Sequence, residues 1–389
     1  METSSQEKYF VSFNNKLGTP FTLENPTDYL TIKSVERRVK QGIDIDYTDL
    51  PVSPNYINQL KETGAKVLFT LKWFNGAVIE TTSEAMVLQI ENLESVKEIR
   101  KVFEPGLKSA PMPEEEIFPI YTVAKDPNDF YFYGSSSTQI KMLNGHIIHN
   151  KGFRGKGITI GVLDAGFYNT NTLPAFDSLW KDERVIFTKD FVTPNSNIYQ
   201  EHTHGMIVLS AMVGNLPGQL IGSAPEANYI LIRSEDANSE QIIEEYNWAA
   251  AAELADSLGV DIINSSLGYY LYDTPWQSHT YSQMNGISTP IAQAANFAGE
   301  KGILVVSSAG NEGTNDWKYI ITPADAINTI GVGAVNELGQ YASFSSIGPS
   351  ADGRIKPDVM AMGQSTVIQS PNGQIGSANG TSLSAPIIS

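Results

Sequence analysis

A chain of 389 residues in which 41% are hydrophobic and 10% aromatic has material for two or three domains around at least one sizeable core, which excludes wholesale disorder. Its 43 acidic against 26 basic residues give a formal charge of -17, which disfavours the phosphate backbone of nucleic acid as a partner. With no cysteine, the chain has no disulfide framework, thiol nucleophile or thiolate metal cluster.

The opening stretch, METSSQEKYFVSFNN, has neither the basic stretch nor the apolar run of a signal peptide, and no run of 18 apolar residues follows, so no membrane span is expected. Residues 8–13 (KYFVSF) and 65–73 (AKVLFTLKW), rich in aromatic and branched side chains, read as strands. Between them, 34–42 (SVERRVKQG) and 53–64 (SPNYINQLKETG) carry helix-start residues and end at glycine. Residues 83–99 read as a further helical stretch in two pieces, and 101–103 (KVF) as a last strand. Residues 1–105 therefore predict a compact α+β module. Repeated prolines and three consecutive glutamates interrupt the pattern between 104 and 130, which predicts a linker or exposed loop over 106–132.

After residue 150 the pattern changes to apolar strands alternating with helices. The strands are 157–166 (GITIGVLDAG), 227–233 (ANYILIR), 260–268 (VDIINSSLG), 303–310 (ILVVSSAG) and 328–335 (NTIGVGAV). Helical patterns cover 240–259 and 289–302. Strands apolar throughout, separated by helices of this length, predict a parallel sheet covered on both faces. Ligand sites in such folds lie beyond the carboxyl ends of the strands.

Several candidate residues stand at such ends. Asp164 closes the strand GVLD and reads either as a turn or capping aspartate or as a functional carboxylate. His202 and His204 stand where a loop gives way to the helical GMIVLSAM; a neutral imidazole at a helix start is kept available as a base, and surface histidines are the alternative. Asn311, in SAGNEG, is a turn asparagine or a carboxamide donor to an oxyanion. Ser382, in GTSLSAP, is a helix cap or a nucleophile whose small neighbours leave its hydroxyl uncovered. The order Asp, His, Ser along the chain is that of subtilisin, not of chymotrypsin or the α/β-hydrolases, and no GxSxG surrounds Ser382, which disfavours a lipase or esterase.

From about residue 139 to 389 the chain resembles the subtilisin-like (subtilase) serine peptidases, on GITIGVLDAG, HGMIVLSAM, INSSLG, SSAGNEG and GTSLSAP in the family's order. The resemblance implies a three-layer α/β fold, a parallel sheet with helices on both faces, over 133–389. It implies Asp164 as orienting carboxylate, His204 rather than His202 as base, Ser382 as nucleophile, Asn311 as oxyanion donor, and Ser266, Leu267 and Gly268 as partners of the substrate backbone. It further implies that 1–105 is a propeptide-like foldase and intramolecular inhibitor, that 106–132 holds a processing site, and that the substrates are proteins or peptides. No cofactor is needed for this chemistry; a structural calcium ion is an open expectation of the family, with no ligand assigned. Apolar residues at 206 and 207, Ala165 and Met362 depart from the family's usual motifs and resemble the divergent exported peptidases of Bacteroidetes-type bacteria. That likeness implies a secreted, cell-surface or periplasmic location for the full-length parent. Only LSAPIIS follows Ser382, so the resemblance also implies a domain truncated at its C-terminus. Against the peptidase stands a catalytically inactive, peptide-binding relative or an inactive fragment.

Overall fold

The computed structural model describes residues 6–107 and 111–389; the first five residues of the expected module and residues 108–110 of the expected linker lie outside the described residues. The N-terminal module comprises β1 (Glu7–Phe13), α1 (Ile32–Gln41), α2 (Pro54–Glu62), β2 (Lys66–Leu71), β3 (Gly76–Thr81), α3 (Glu84–Glu91) and β4 (Val96–Phe103). Its four strands form an antiparallel sheet in the order β2-β3-β1-β4. Helix α1 starts two residues before Ser34 because Thr31 caps it, accepting the Ser34 N–H, and it stops at Gly42, whose φ of 70° suits a residue without Cβ.

Two local expectations change. The second piece of the 83–99 helix is strand: α3 ends at Glu91, and Val96 to Phe103 pairs with β1 from Phe13 back to Lys8. The charged run KEIRK favours neither state, and hydrogen bonding to β1 decides. Strand β3 lies outside the predicted elements; it is joined to β2 by the four-residue loop 72–75, closed by Asn75 in the left-handed region (φ 48°), with Gly76 opening the strand opposite Leu71.

Beyond the linker come α4 (Ser137–Lys141), α5 (Gly145–Asn150), β5 (Thr159–Asp164), α6 (Asp177–Lys181), β6 (Val185–Asp190) and α7 (His204–Val213). The short strands β7 (Asn215–Leu216) and β8 (Leu220–Ile221), then β9 (Asn228–Arg233), α8 (Ile243–Ser257), β10 (Ile262–Ser265) and α9 (Pro290–Glu300) follow. Last are β11 (Leu304–Ser308), β12 (Thr329–Val335), β13 (Val359–Met362), the hairpin β14 (Thr366–Gln369) and β15 (Ile375–Ala378), and α10 (Thr381–Ile388).

Seven parallel strands in the order β13-β12-β11-β10-β5-β9-β6 make the central sheet. Alternation along β5 assigns its two faces: Ile160 and Val162 pack with α7, while Leu163 packs with α8 and α9. The result is helix, sheet, helix, as the apolar strands predict. Helix α10 has only eight residues, too few to be stable alone, and is held by burial of Leu383, Ala385 and Ile387 against α7 and the sheet.

The N-terminal module makes a fourth layer on α8 and α9. The Phe10 ring stacks on Tyr246 with centroids 4.6 Å apart, and Trp73 stacks on Phe297 at 5.9 Å. Beside these rings the buried Asp256 of α8 meets Arg37, Arg38 and Lys72 of the module at 2.5, 2.8 and 3.0 Å. Glu253, one helical turn earlier, accepts the backbone N–H groups of Lys72 and Trp73.

Candidate active site

Asp164 is the last residue of β5 and is wholly buried. Its Oδ1 accepts the Ala165 N–H and the Nδ1–H of His204, both at 2.7 Å. Oδ2 is buried with no hydrogen-bond partner among the described residues, since Ala165 supplies only its backbone donor. His204 opens α7, and the approach depends on Gly205: a Cβ there would collide with the Gly166 carbonyl oxygen and come within 2.8 Å of the Asp164 Cβ. His202 plays another part. Its Nδ1 accepts the His204 N–H at 3.2 Å, so it caps the helix. Burial works against the imidazolium of His204, but Asp164, Glu115 and Glu235 outweigh it and raise its pKa to about 9. Burial and the neighbouring His204 instead hold His202 below its ordinary value.

Ser382 stands in the first turn of α10, after Gly380, whose φ is 151°. It lines the same cavity of about 220 Å³ as His204. Its Oγ donates to the Ser266 carbonyl oxygen at 3.2 Å, and among the described residues no hydrogen bond joins it to His204. In return the Ser266 hydroxyl donates to the Ser382 carbonyl oxygen at 2.8 Å, which ties the turn of Ser382 to the end of β10. Asn311 follows β11; the Thr381 N–H and hydroxyl both donate to its Oδ1 at 2.9 Å. With its oxygen so held, Nδ2 is the group left to donate into the cavity that Asn311 lines. Ser266, Leu267 and Gly268 line one wall of that cavity, so all seven expected residues converge.

Sequence reasoning missed four contributors. Thr381 orients Asn311, as above. Ile321 fills the space beside Gly268 and Gly310, where a Cβ would come within 2.6 and 2.9 Å of its side chain. Glu235, buried, accepts the Tyr269 O–H and is pushed up to about 7 by burial. Glu115, from the expected linker, enters the cavity and places Oε1 4.0 Å from Nε2 of His204. Of these, only Thr381 belongs to one of the motifs that carry the resemblance, GTSLSAP.

For a cation, three carboxylates come together among the described residues: Glu235, Glu240 and Glu244 each bring an oxygen within 4.8 Å of the others. Burial pushes all three carboxyls up, so they can share protons without a metal. In the oxygen-rich segment 311–318, Glu312 is engaged by the Tyr270 hydroxyl and the Asn315 amide.

Comparison with known proteins decides the family: the Subtilase family profile matches residues 155–389. The chain belongs to the subtilase family of serine peptidases. A second profile, that of the Bacteroidota peptidase S8 propeptide domain, matches residues 8–115 of this subtilase. Subtilisin NAT of Bacillus subtilis subsp. natto is 30% identical over 332 residues, covering 84% of this chain and 72% of that protein. Subtilisin of Bacillus pumilus is 31% identical over 252 residues, 64% of this chain and 79% of the relative. Serine protease AprX of Bacillus subtilis (strain 168) is 30% identical over 262 residues, 60% and 55% of the two chains. This subtilase is thus a serine endopeptidase by family with a propeptide domain, and among the described residues no helix is long and apolar enough to cross a membrane.

Proposed function

We propose that the chain is a self-processing zymogen whose peptidase part, 133–389, hydrolyses protein and peptide substrates through the triad Asp164, His204 and Ser382. His204 removes the Ser382 proton as Oγ attacks the substrate carbonyl, and Asp164 fixes the tautomer and stabilises the imidazolium. Asn311 Nδ2 and the Ser382 N–H receive the oxyanion, while the backbone of Ser266 to Gly268 pairs with the substrate strand. Water then attacks the acyl-enzyme with His204 again as base. The module 1–105 assists folding and blocks the groove, and cleavage within 106–132 frees the enzyme outside the cytoplasm, in the periplasm, at the cell surface or beyond it.

The observation that carries this reading is the 2.7 Å bond between His204 Nδ1 and the buried Asp164, which turns Nε2 toward the cavity lined by Ser382. Mass spectrometry of the incubated full-length chain tests it. The expected result is cleavage within 106–132 in the parent, none in the Ser382→Ala form, and a fluorophosphonate adduct on Ser382 after maturation. Equal cleavage in both forms, or a matured chain that takes no adduct, would refute it.

A further inference from the structure

The segment Met112–Phe118 crosses the catalytic cavity as an extended strap pinned at both ends. On one side the Met112 N–H donates to the Ala237 carbonyl oxygen at 2.7 Å. On the other, Phe118 pairs with Ser377 of β15, donating at 2.7 Å and accepting at 2.9 Å. Between the pins the chain alternates like a strand: Glu114 and Glu116 are exposed, whereas Glu115 and Ile117 turn inward. Ile117 covers Gly376, where a Cβ would strike it, and joins the core beneath α7. With this register set, Glu115 is the side chain delivered to His204.

We propose that Glu115 is a latch that keeps the unprocessed chain latent by facing the base His204 with a carboxylate in place of the nucleophile's hydroxyl. The inference rests on the reading of His204 as base and Ser382 as nucleophile. A carboxylate beside Nε2 stabilises the imidazolium, which has no lone pair for the serine proton. Ser382 Oγ meanwhile points its hydrogen bond at the Ser266 carbonyl oxygen. The raised pKa of His204 accords with this, since Glu115 is one of its causes. The other titratable groups facing the pair are Asp164 on β5, His202 before α7, Glu235 and Glu240 after β9, and Glu312 after β11. All of them stay in place when Glu115 alone is changed.

The test is an NMR titration of the His204 imidazole in the full-length chain made uncleavable by Ser382→Ala, with Glu115→Gln and, as control, the exposed Glu114→Gln. E115Q should lower the His204 midpoint by about one unit or more, and E114Q should leave it in place. One unit multiplies the neutral imidazole about tenfold at any pH below both midpoints, so with Ser382 restored E115Q should mature about tenfold faster there. A midpoint that E115Q leaves unmoved, or that E114Q moves as far, overturns the latch while a fluorophosphonate adduct on Ser382 still upholds the peptidase. Absence of the adduct in every variant ends both readings together.

Discussion

Replacing Asp256 with asparagine should loosen the docked N-terminal module far more than removing an exposed ion pair at the same interface. Asp256 is fully buried against three cations of the module, whose side chains are between 1% and 10% exposed. An amide at 256 leaves Arg37 and Lys72 without their carboxylate and Arg38 with only Asp49. Breaking a buried ion pair costs about 3–5 kcal/mol, because the remaining charge stays desolvated. At 1.36 kcal/mol per decade, the open fraction of the interface rises roughly 150- to 5,000-fold. The comparison is Lys33→Ala, which removes a pair with Asp261 whose side chains are 40% and 28% exposed. Such a pair is worth about 1 kcal/mol or less, a change of about fivefold. Hydrogen exchange of the uncleavable Ser382→Ala chain reads the difference directly. The N–H groups of Thr31, Lys72 and Trp73 all donate across the interface, to Ser257 and Glu253, and exchange only when it opens. Less than about a tenfold rise at these amides in D256N, or an equal rise in K33A, would refute the reasoning.

In the matured enzyme, Asn311→Ala should lower kcat roughly 10²- to 10³-fold with KM little changed, as loss of one oxyanion donor does; steady-state kinetics on a peptide substrate showing less than tenfold would remove Asn311 from that role. Gly205→Ala should lower kcat about 10²-fold in the same assay, since a Cβ wedged against Gly166 and Asp164 displaces His204, and an unaltered rate would mean that the close approach is dispensable. For Glu253, burial raises the docked carboxyl to about 7 from an ordinary 4.5, so the docked state binds more protons between those values and docking weakens as pH rises from 4.5 to 7. Hydrogen exchange of the Thr31 amide in E253Q should therefore fall behind the parent through that window and run parallel to it on either side; a constant ratio from pH 4 to 8 would show that Glu253 does not titrate there.

The inner strands β5, β9, β10, β11 and β12 were legible because they read as continuous apolar runs, which glycine-ended helices then separate; the edge strands β6, exposed from Ile186 to Lys189, and β13 were not. The N-terminal module was also less legible. In β4 the exposed positions carry Lys97, Glu98 and Arg100, whose spacing mimics a helix. Only the register with β1, a contact some 90 residues away in sequence, resolves that ambiguity. Strand β3 is joined to β2 by a four-residue loop and not a two-residue turn, so its pairing with β1 and β2 is what defines it.

The seven candidate site residues were readable from the motifs that carry the resemblance, which lie at strand ends and helix starts, where a parallel sheet presents side chains. Glu115 was not, and the reason is physical. The three glutamates at 114–116 are chemically equivalent in the sequence. What distinguishes the middle one is the phase of an extended segment fixed by Met112 at Ala237 and Phe118 at Ser377. A segment with no intrinsic preference for helix or strand takes its order from the edges that grip it, so the features that made 106–132 read as a linker or exposed loop are those that let Ala237 and Ser377 hold Met112–Phe118 extended. Ser382 lies five residues beyond Ser377 on the same chain, so the strap is hydrogen-bonded to the strand that leads into α10. The Phe118–Ser377 pairing thus joins the segment that sets the position of Glu115 to the strand that leads into the turn of Ser382.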